Sequence, residues 1–334
     1  MQHWQVFEDC RAAVYYGGAW FSGSEVKLVD CHFLRCHAEA TYCGGCSSAN
    51  GADVEMIRGS IMGCSAGDSG GVYMYGMSTL SLLNVTIAEC RATDPDKGNA
   101  GGIGVWRASV LTMSGGTIRD CEATDRGGGL WVGDTAQAHL HGVAVQRCKS
   151  FIFAGGMDLM GNVSLVDVSI EDCYAPERAA MFSGGSLRAE RVRVARARLS
   201  IPTLLSGTSI WTDSTFVDCS AGPDIMLGAH SFTRLNVRGA TNHGLSAYIG
   251  VAVVIDSHIA DSHGACVAAA HNGALILRNV TLSNCSAPEK PYVSLESAEE
   301  PPPSRPSCSR SSPRARPSAA ARSSASATPP SRPR

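Results

Sequence analysis

Residues 117–132 read TIRDCEATDRGGGLWV: an apolar Ile118, two polar residues, Cys121, a small Ala123, a polar turn, three glycines and a fresh apolar run. Close copies recur as TIAECRAT at 86–93, SIEDCYAP at 169–176, TFVDCSAG at 215–222 and TLSNCSAP at 281–288. Weaker copies lie at 6–13, 32–39, 60–67 and 143–150. A unit repeating at a near-constant period is one supersecondary element that buries its apolar face only against its neighbours, so the repeat decides the fold.

Cys10, Cys36, Cys64, Cys90, Cys121, Cys148 and Cys173 stand 26, 28, 26, 31, 27 and 25 residues apart. The longer gaps, 46 residues to Cys219 and 66 to Cys285, divide into units of about 22–23 residues if degenerate copies are counted. Arg196 then holds one midpoint and Ser262 the Cys place of HIADSHGA. Each unit contains three short strand-like runs, which in 127–150 are GGLWVG, AHLHGV and AVQRC. Leu140 between His139 and His141 shows the period of two that points alternate side chains inward. Helix-length periods are absent, and the regular Leu/Asn frame of a leucine-rich horseshoe is missing.

Three strands per turn of about 25 residues describe an all-β, single-stranded right-handed parallel β-helix (solenoid) of about 12 coils. At ~4.8 Å per coil the rod is roughly 55–60 Å long. It is expected over residues 1–293, with Gly70-Gly71, Gly101-Gly102, Gly128-Gly129 and Gly155-Gly156 at corners that need positive φ or close backbone approach. The fixed Cys reads as a buried column of small thiols rather than a disulfide framework, because free Cys packs as a small hydrophobe. Residues 1–9 offer no polar cap, which predicts a missing N-terminal piece. Residues 294–334, rich in Pro, Ser, Arg and Ala, are expected to be a disordered tail.

Composition agrees: 44% hydrophobic residues suffice for a core, while 6% aromatics and 36 glycines favour short strands and turns over packed helices. Residues 301–334 hold seven Arg and no acid, so residues 1–300 carry 21 basic against 30 acidic groups. An acidic body lacks the basic face of a nucleic-acid binder. No apolar run reaches the ~18–20 residues of a transmembrane segment, and the start MQHWQVFEDC enters a repeat without a secretory signal.

The unit apolar-x-x-Cys-x-Ala … Gly-Gly-apolar resembles the repeat of bacterial polymorphic outer-membrane proteins, which joins an FxxN element to a GGA-[ILV] element. Cys stands here for Asn, and the second element becomes GGV at 70–72, GGI at 101–103, GGL at 128–130 and GGM at 155–157. Over roughly residues 6–290 the resemblance implies a β-helix of the pectate-lyase-like superfamily and a surface-displayed, adhesin-like passenger.

Chemistry is harder to place. Pectin-hydrolysing β-helices carry NTD, DD, GHG and RIK-like elements; here no Asp-Asp pair occurs, and Asn242-His243-Gly244 and Ser262-His263-Gly264 only faintly resemble the third. A lyase needs a carboxylate cluster for Ca²⁺ and a base, for which Asp256, His258, Asp261 and His263 are the catalytic candidates; an outward alternation of polar residues explains them more simply. In CHFLRCHAEATYCGGC at 31–46, Cys31, Cys43 and Cys46 are metal candidates, with a zinc knuckle, a redox pair, a local disulfide or plain buried thiols as readings. Arg188, Arg191, Arg193, Arg196 and Arg198 form either a glycan-binding basic strip or a solvated face partly neutralised by Glu190. Asn84, Asn162, Asn279 and Asn284 begin N-x-[ST] sequons, three of them Asn-Val-[ST] one strand before the Cys, so repeat ancestry explains them as well as glycosylation does.

The expected function is a non-catalytic extracellular or cell-surface rod that meets carbohydrate or cell-surface glycans, with no cofactor. The alternative is a lyase or hydrolase acting on an acidic polysaccharide.

Overall fold

The structure, a computed structural model, describes residues 5–40, 42–197, 203–286 and 293–295. All but two residues of the segment 294–334 lie outside them, as does Arg198. The described residues form a parallel β-solenoid of about eleven turns with no helix.

One turn shows the plan. Strand Gln137–His141 bends at Gly142 into Ala144–Gln146, bends again at Arg147 into Lys149–Ser150, and crosses a loop to Met157–Leu159. The first two arms belong to a 21-stranded sheet, the two-residue arms to a 6-stranded sheet confined to the earlier turns, and the last arms to a 12-stranded sheet. The three expected runs are present. The two-residue arm was not foreseen, since two residues carry no readable period.

Registers place the seven Cys from Cys10 to Cys173 in one column, continued by Ala197, Cys219, Ala240, Ser262 and Cys285. Ser262 holds the place expected of it. Arg196 does not: the column passes through Ala197, because Arg196 occupies the bend one residue earlier. Cys36 through Cys219 are buried free thiols, and each donates to the carbonyl two residues before it, as Cys121 Sγ does to Arg119 O at 3.3 Å. Cys285 leaves the thiol column, joined by a disulfide to Cys266. Beside the column runs a ladder from Ile61 through Ile118 and Ile170 to Ile259, all without exposure.

Both bends use left-handed residues, and most are not glycine. One bend row includes Asp30, Arg58, Asp167, Arg191, Asp213 and Arg234; the other includes Asp9, Arg35, Asp120, Arg147, Asp172 and Arg196, all with φ between 50 and 55°. Asp tolerates this conformation and Arg ordinarily does not, so something beyond the backbone must select Arg. Bends in successive coils sit ~4.8 Å apart, close enough for cross-coil pairing. Arg58 Nε donates to Asp30 at 3.0 Å, Arg147 Nε to Asp120 at 2.7 Å, and Arg234 pairs with Asp213 through both nitrogens.

The glycine pairs serve the second of the two expected purposes. A Cβ on Gly70 would lie 2.5 Å from Gly101 O, and one on Gly129 2.7 Å from Gly156 O, while neither residue has positive φ. Coils there approach too closely for any side chain.

Candidate functional site

The outward position of the 12-stranded sheet, two residues after each glycine pair, carries Trp20, Ser47, Tyr73, Gly104 and Trp131 in register. Tyr16 and Tyr42, from the loop preceding this sheet, lean across it. Ring contacts then run unbroken along the rod. Tyr16 stacks on Trp20 with centroids 5.4 Å apart and planes 2° from parallel, and on Tyr42 at 5.8 Å. Tyr42 meets Tyr73 at 5.1 Å, Tyr73 meets Trp106 at 6.0 Å, and Trp106 meets Trp131 at 3.7 Å.

Gly104 makes the last contact possible. Any Cβ there would strike Ser69 Oγ and lie 3.0 Å from Trp106 Nε1, so the empty position lets the Trp106 indole fold onto its neighbour. Tyr15 and Trp20 remain more than half exposed, at 54% and 51%. Between Tyr16, Tyr42, Tyr73, Tyr75 and Trp106 lies a groove of about 380 Å³, which Asn50 and Arg107 also line. The Arg107 guanidinium sits 4.8 Å from the Tyr75 ring centre.

Two carboxyls flank this track. Burial pushes Asp68 up to about 6, against the hydrogen bond that Asn99 Nδ2 donates to it at 3.2 Å. Asp158, next in register to Trp131, is 1% exposed; burial pushes it to about 6 against the opposing charges of Arg126 and Arg178, and its Oδ1 has no partner. Three coils separate the two, on the order of 14 Å along the rod. A glycosidase pair needs ~5–9.5 Å.

Farther along the same face, His243 Nε2 lies 2.6 Å from Asp224 Oδ1, which also accepts from Ser246. Burial works against the His243 charge, but the Asp224 hydrogen bond and charge outweigh it and raise the pKa. Inside the solenoid, Trp211 Nε1 donates to Ser209 Oγ at 2.9 Å and Ser209 meets His230 Nδ1 at 2.8 Å. His230 Nε2 therefore carries the proton it gives to Leu227 O at 2.7 Å, and burial keeps this ring neutral.

The residues singled out from sequence fall elsewhere. Asp256 and Asp261 occupy the two bends at either end of strand His258–Ala260, five residues apart, and accept from Asn279 at 2.7 Å and Asn284 at 3.1 Å. His258 meets Ser283 at 3.1 Å, and His263 is exposed in the following turn. Carboxyls on the order of 15 Å apart along a strand do not converge on one bond.

Cys31 follows the Asp30 bend and donates to Val29 O at 3.5 Å, the role that Ser214 and Ser257 play in later coils. Cys43 donates to Cys46 O at 2.9 Å, and burial lifts Cys46 to about 12. Among the described residues no three His, Cys, Asp or Glu side chains come together as a metal site.

Arg191, Arg193 and Arg196 pair with Asp167, Glu171 and Asp172, and Arg191 also with Glu190, so the strip is largely neutralised within the fold. Arg188 alone of the described four stands exposed without an ion pair, beside Ile210 in a shallow groove of about 450 Å³. Asn84, Asn162, Asn279 and Asn284 are all exposed. Asn84 and Asn279 are left-handed residues of one bend row and Asn284 of the other; Asn162 instead begins strand Asn162–Val166, so the four sequons do not share one place in the coil.

No protein-family model matches the sequence, and no curated protein matches it. Among solved structures, the Agl-KA catalytic domain is similar, with a TM-score of 0.50 and 11% identity over 85% of this chain. That likeness is one of fold. This chain spans about three fifths, 62%, of that domain.

Proposed function

We propose that this protein is a non-catalytic β-helix rod that binds carbohydrate along the aromatic track. The unbroken row of ring contacts from Trp20 to Trp131 carries the reading. Aromatic rings offer a flat apolar face beside a polar handle, which suits the C–H face of a sugar ring while its hydroxyls keep their hydrogen bonds. Five coils of such surface span on the order of 20 Å, a run of several sugars. The Asp68–Asp158 separation argues against hydrolysis at the same place.

An extracellular or cell-surface setting fits this reading. The Cys266–Cys285 disulfide belongs to an oxidising compartment, and four exposed sequons offer glycan sites. The resemblance to polymorphic outer-membrane repeats points the same way, to a displayed adhesin-like surface.

The test is binding. Trp106→Ala and Trp131→Ala should each weaken retention on immobilised polysaccharides on the order of tenfold, while Ile210→Ala, on another face, leaves it unchanged. Equal retention of all three variants would discard the track.

A second reading, a lyase or hydrolase of an acidic polysaccharide, draws on the Asp224–His243 pair, in which a buried carboxylate orients a histidine and raises its pKa. Release of shortened oligosaccharides by the wild type, lost in His243→Ala, would establish it over the first.

A further inference from the structure

We propose that the aromatic groove takes an anionic sugar, whose carboxylate or sulfate is held by Arg107; this rests on the carbohydrate reading above.

The bend arginines Arg35, Arg58, Arg147, Arg191, Arg196 and Arg234 are all engaged by carboxylates of the neighbouring coil. Arg107 differs from them. It follows strand Ile103–Val105, and among the described residues no carboxylate forms an ion pair with it. Its backbone is pinned on both sides: Met77 N–H donates to Arg107 O at 3.1 Å, and Ala108 N–H donates to Thr135 Oγ1 at 3.2 Å. Two consecutive left-handed residues, φ 43° at Arg107 and 55° at Ala108, hold this turn.

A strained conformation persists where the surroundings over-determine it and the placement has a use. Here the placement lays the guanidinium against Tyr75, within the groove lining. Stacking uses the flat face of a guanidinium and leaves its N–H edge in the plane, free to meet a planar oxyanion with two parallel hydrogen bonds. Sugar rings lying on Tyr42 and Trp106 bring their substituents toward that edge. A neutral glycan would use the rings and leave the cation idle; a uronate or a sulfated sugar uses both.

Calorimetric titration of the full chain with three oligosaccharides of equal length separates the cases: oligogalacturonate for carboxylate, a sulfated galactan (carrageenan) fragment for sulfate, and a cello-oligosaccharide as the neutral arm. The expected result is that at least one anionic ligand binds about tenfold or more tightly than the neutral one, and the stronger anionic arm identifies the group. Arg107→Gln should abolish that preference, while Arg188→Gln, an unpaired cation on another face, changes nothing. Trp106→Ala should weaken all three.

If the wild type binds the neutral ligand as tightly as the anionic ones, or Arg107→Gln keeps the preference, the anionic assignment is overturned and carbohydrate binding stands. If no ligand binds the wild type, or Trp106→Ala binds all three undiminished, the carbohydrate reading falls and takes this assignment with it.

Discussion

Cys121 shows how little a residue type says before its place is known. As half of a motif it looks reactive; as a rung it has no exposure, and burial, then hydrogen bonding to Cys148 and Cys90, push its thiol well above the usual range. Reactivity follows thiolate and access, so iodoacetamide at pH 8 should label Cys10, which is partly exposed, while Cys64, Cys90 and Cys121 react only after unfolding. Peptide mapping reads this directly, and rapid labelling of the native column would refute the buried-thiol arrangement.

Asp158 makes the opposite case, a charge where charge is costly. Its folded pKa of about 6 lies above the unfolded ~3.9. Its contribution therefore favours the folded state below about pH 4 and is lost as pH rises to about 6, where the buried group ionises without a partner for Oδ1. Asp158→Asn should stabilise the protein by on the order of 2 kcal/mol at pH 8 and leave it unchanged near pH 4, as measured by denaturant titration at both.

At the scale of strands and bends, the Asp–Arg rows work in the other sense. Hydrogen bonding to Arg147 holds Asp120 below the ordinary carboxylate range, and Arg234 does the same to Asp213. Stability from such groups is present above the unfolded pKa near 4 and is lost as pH falls through the folded one. Arg234→Asp should lower the unfolding temperature by setting like charges in successive coils, and Arg234→Gln, which removes the pair with Asp213 without adding a like charge, should lower it less. Both shifts should shrink in 1 M salt, where screening acts within about 3 Å. Salt-independent losses would mean that the bend itself, not the pairing, selects these residues.

The strand frame, the Cys column and the close-approach glycines were all legible in the sequence, because each repeats at the coil period and each is forced by the interior. The bend rows were visible but unread: Asp or Arg stands before Cys10, Cys36, Cys121, Cys148, Cys173 and Cys219, yet their alternation emerges only when coils are stacked. The aromatic track was missed for a related reason. Tyr73 and Trp131 share one offset, two residues after their glycine pairs, with Trp20 at the same offset, but Tyr16, Tyr42 and Trp106 reach the same surface from other offsets. No single-row count collects them. Asp256 and Asp261 misled in the reverse direction, since their spacing is that of two bends around a three-residue strand.

For the molecule as a whole, stability is a chain of coil-to-coil contacts, and the end coils have the fewest neighbours. The Cys266–Cys285 link closes 19 residues there and should contribute roughly 3 kcal/mol. Reduction should therefore speed hydrogen exchange in 245–283 and leave 110–170 unaffected; a uniform change would show that the coils unfold as one unit.

The alternating bends have one more consequence. In the run Asp167, Arg191, Asp213, Arg234, Asp256, removing one inner coil sets like charge on like, whereas removing two adjacent coils returns acid to base. The rod thus carries a parity rule. Over these coils, lengthening or shortening by pairs keeps the charges matched and change by a single coil does not, so the surface charges govern how many turns this run can gain or lose.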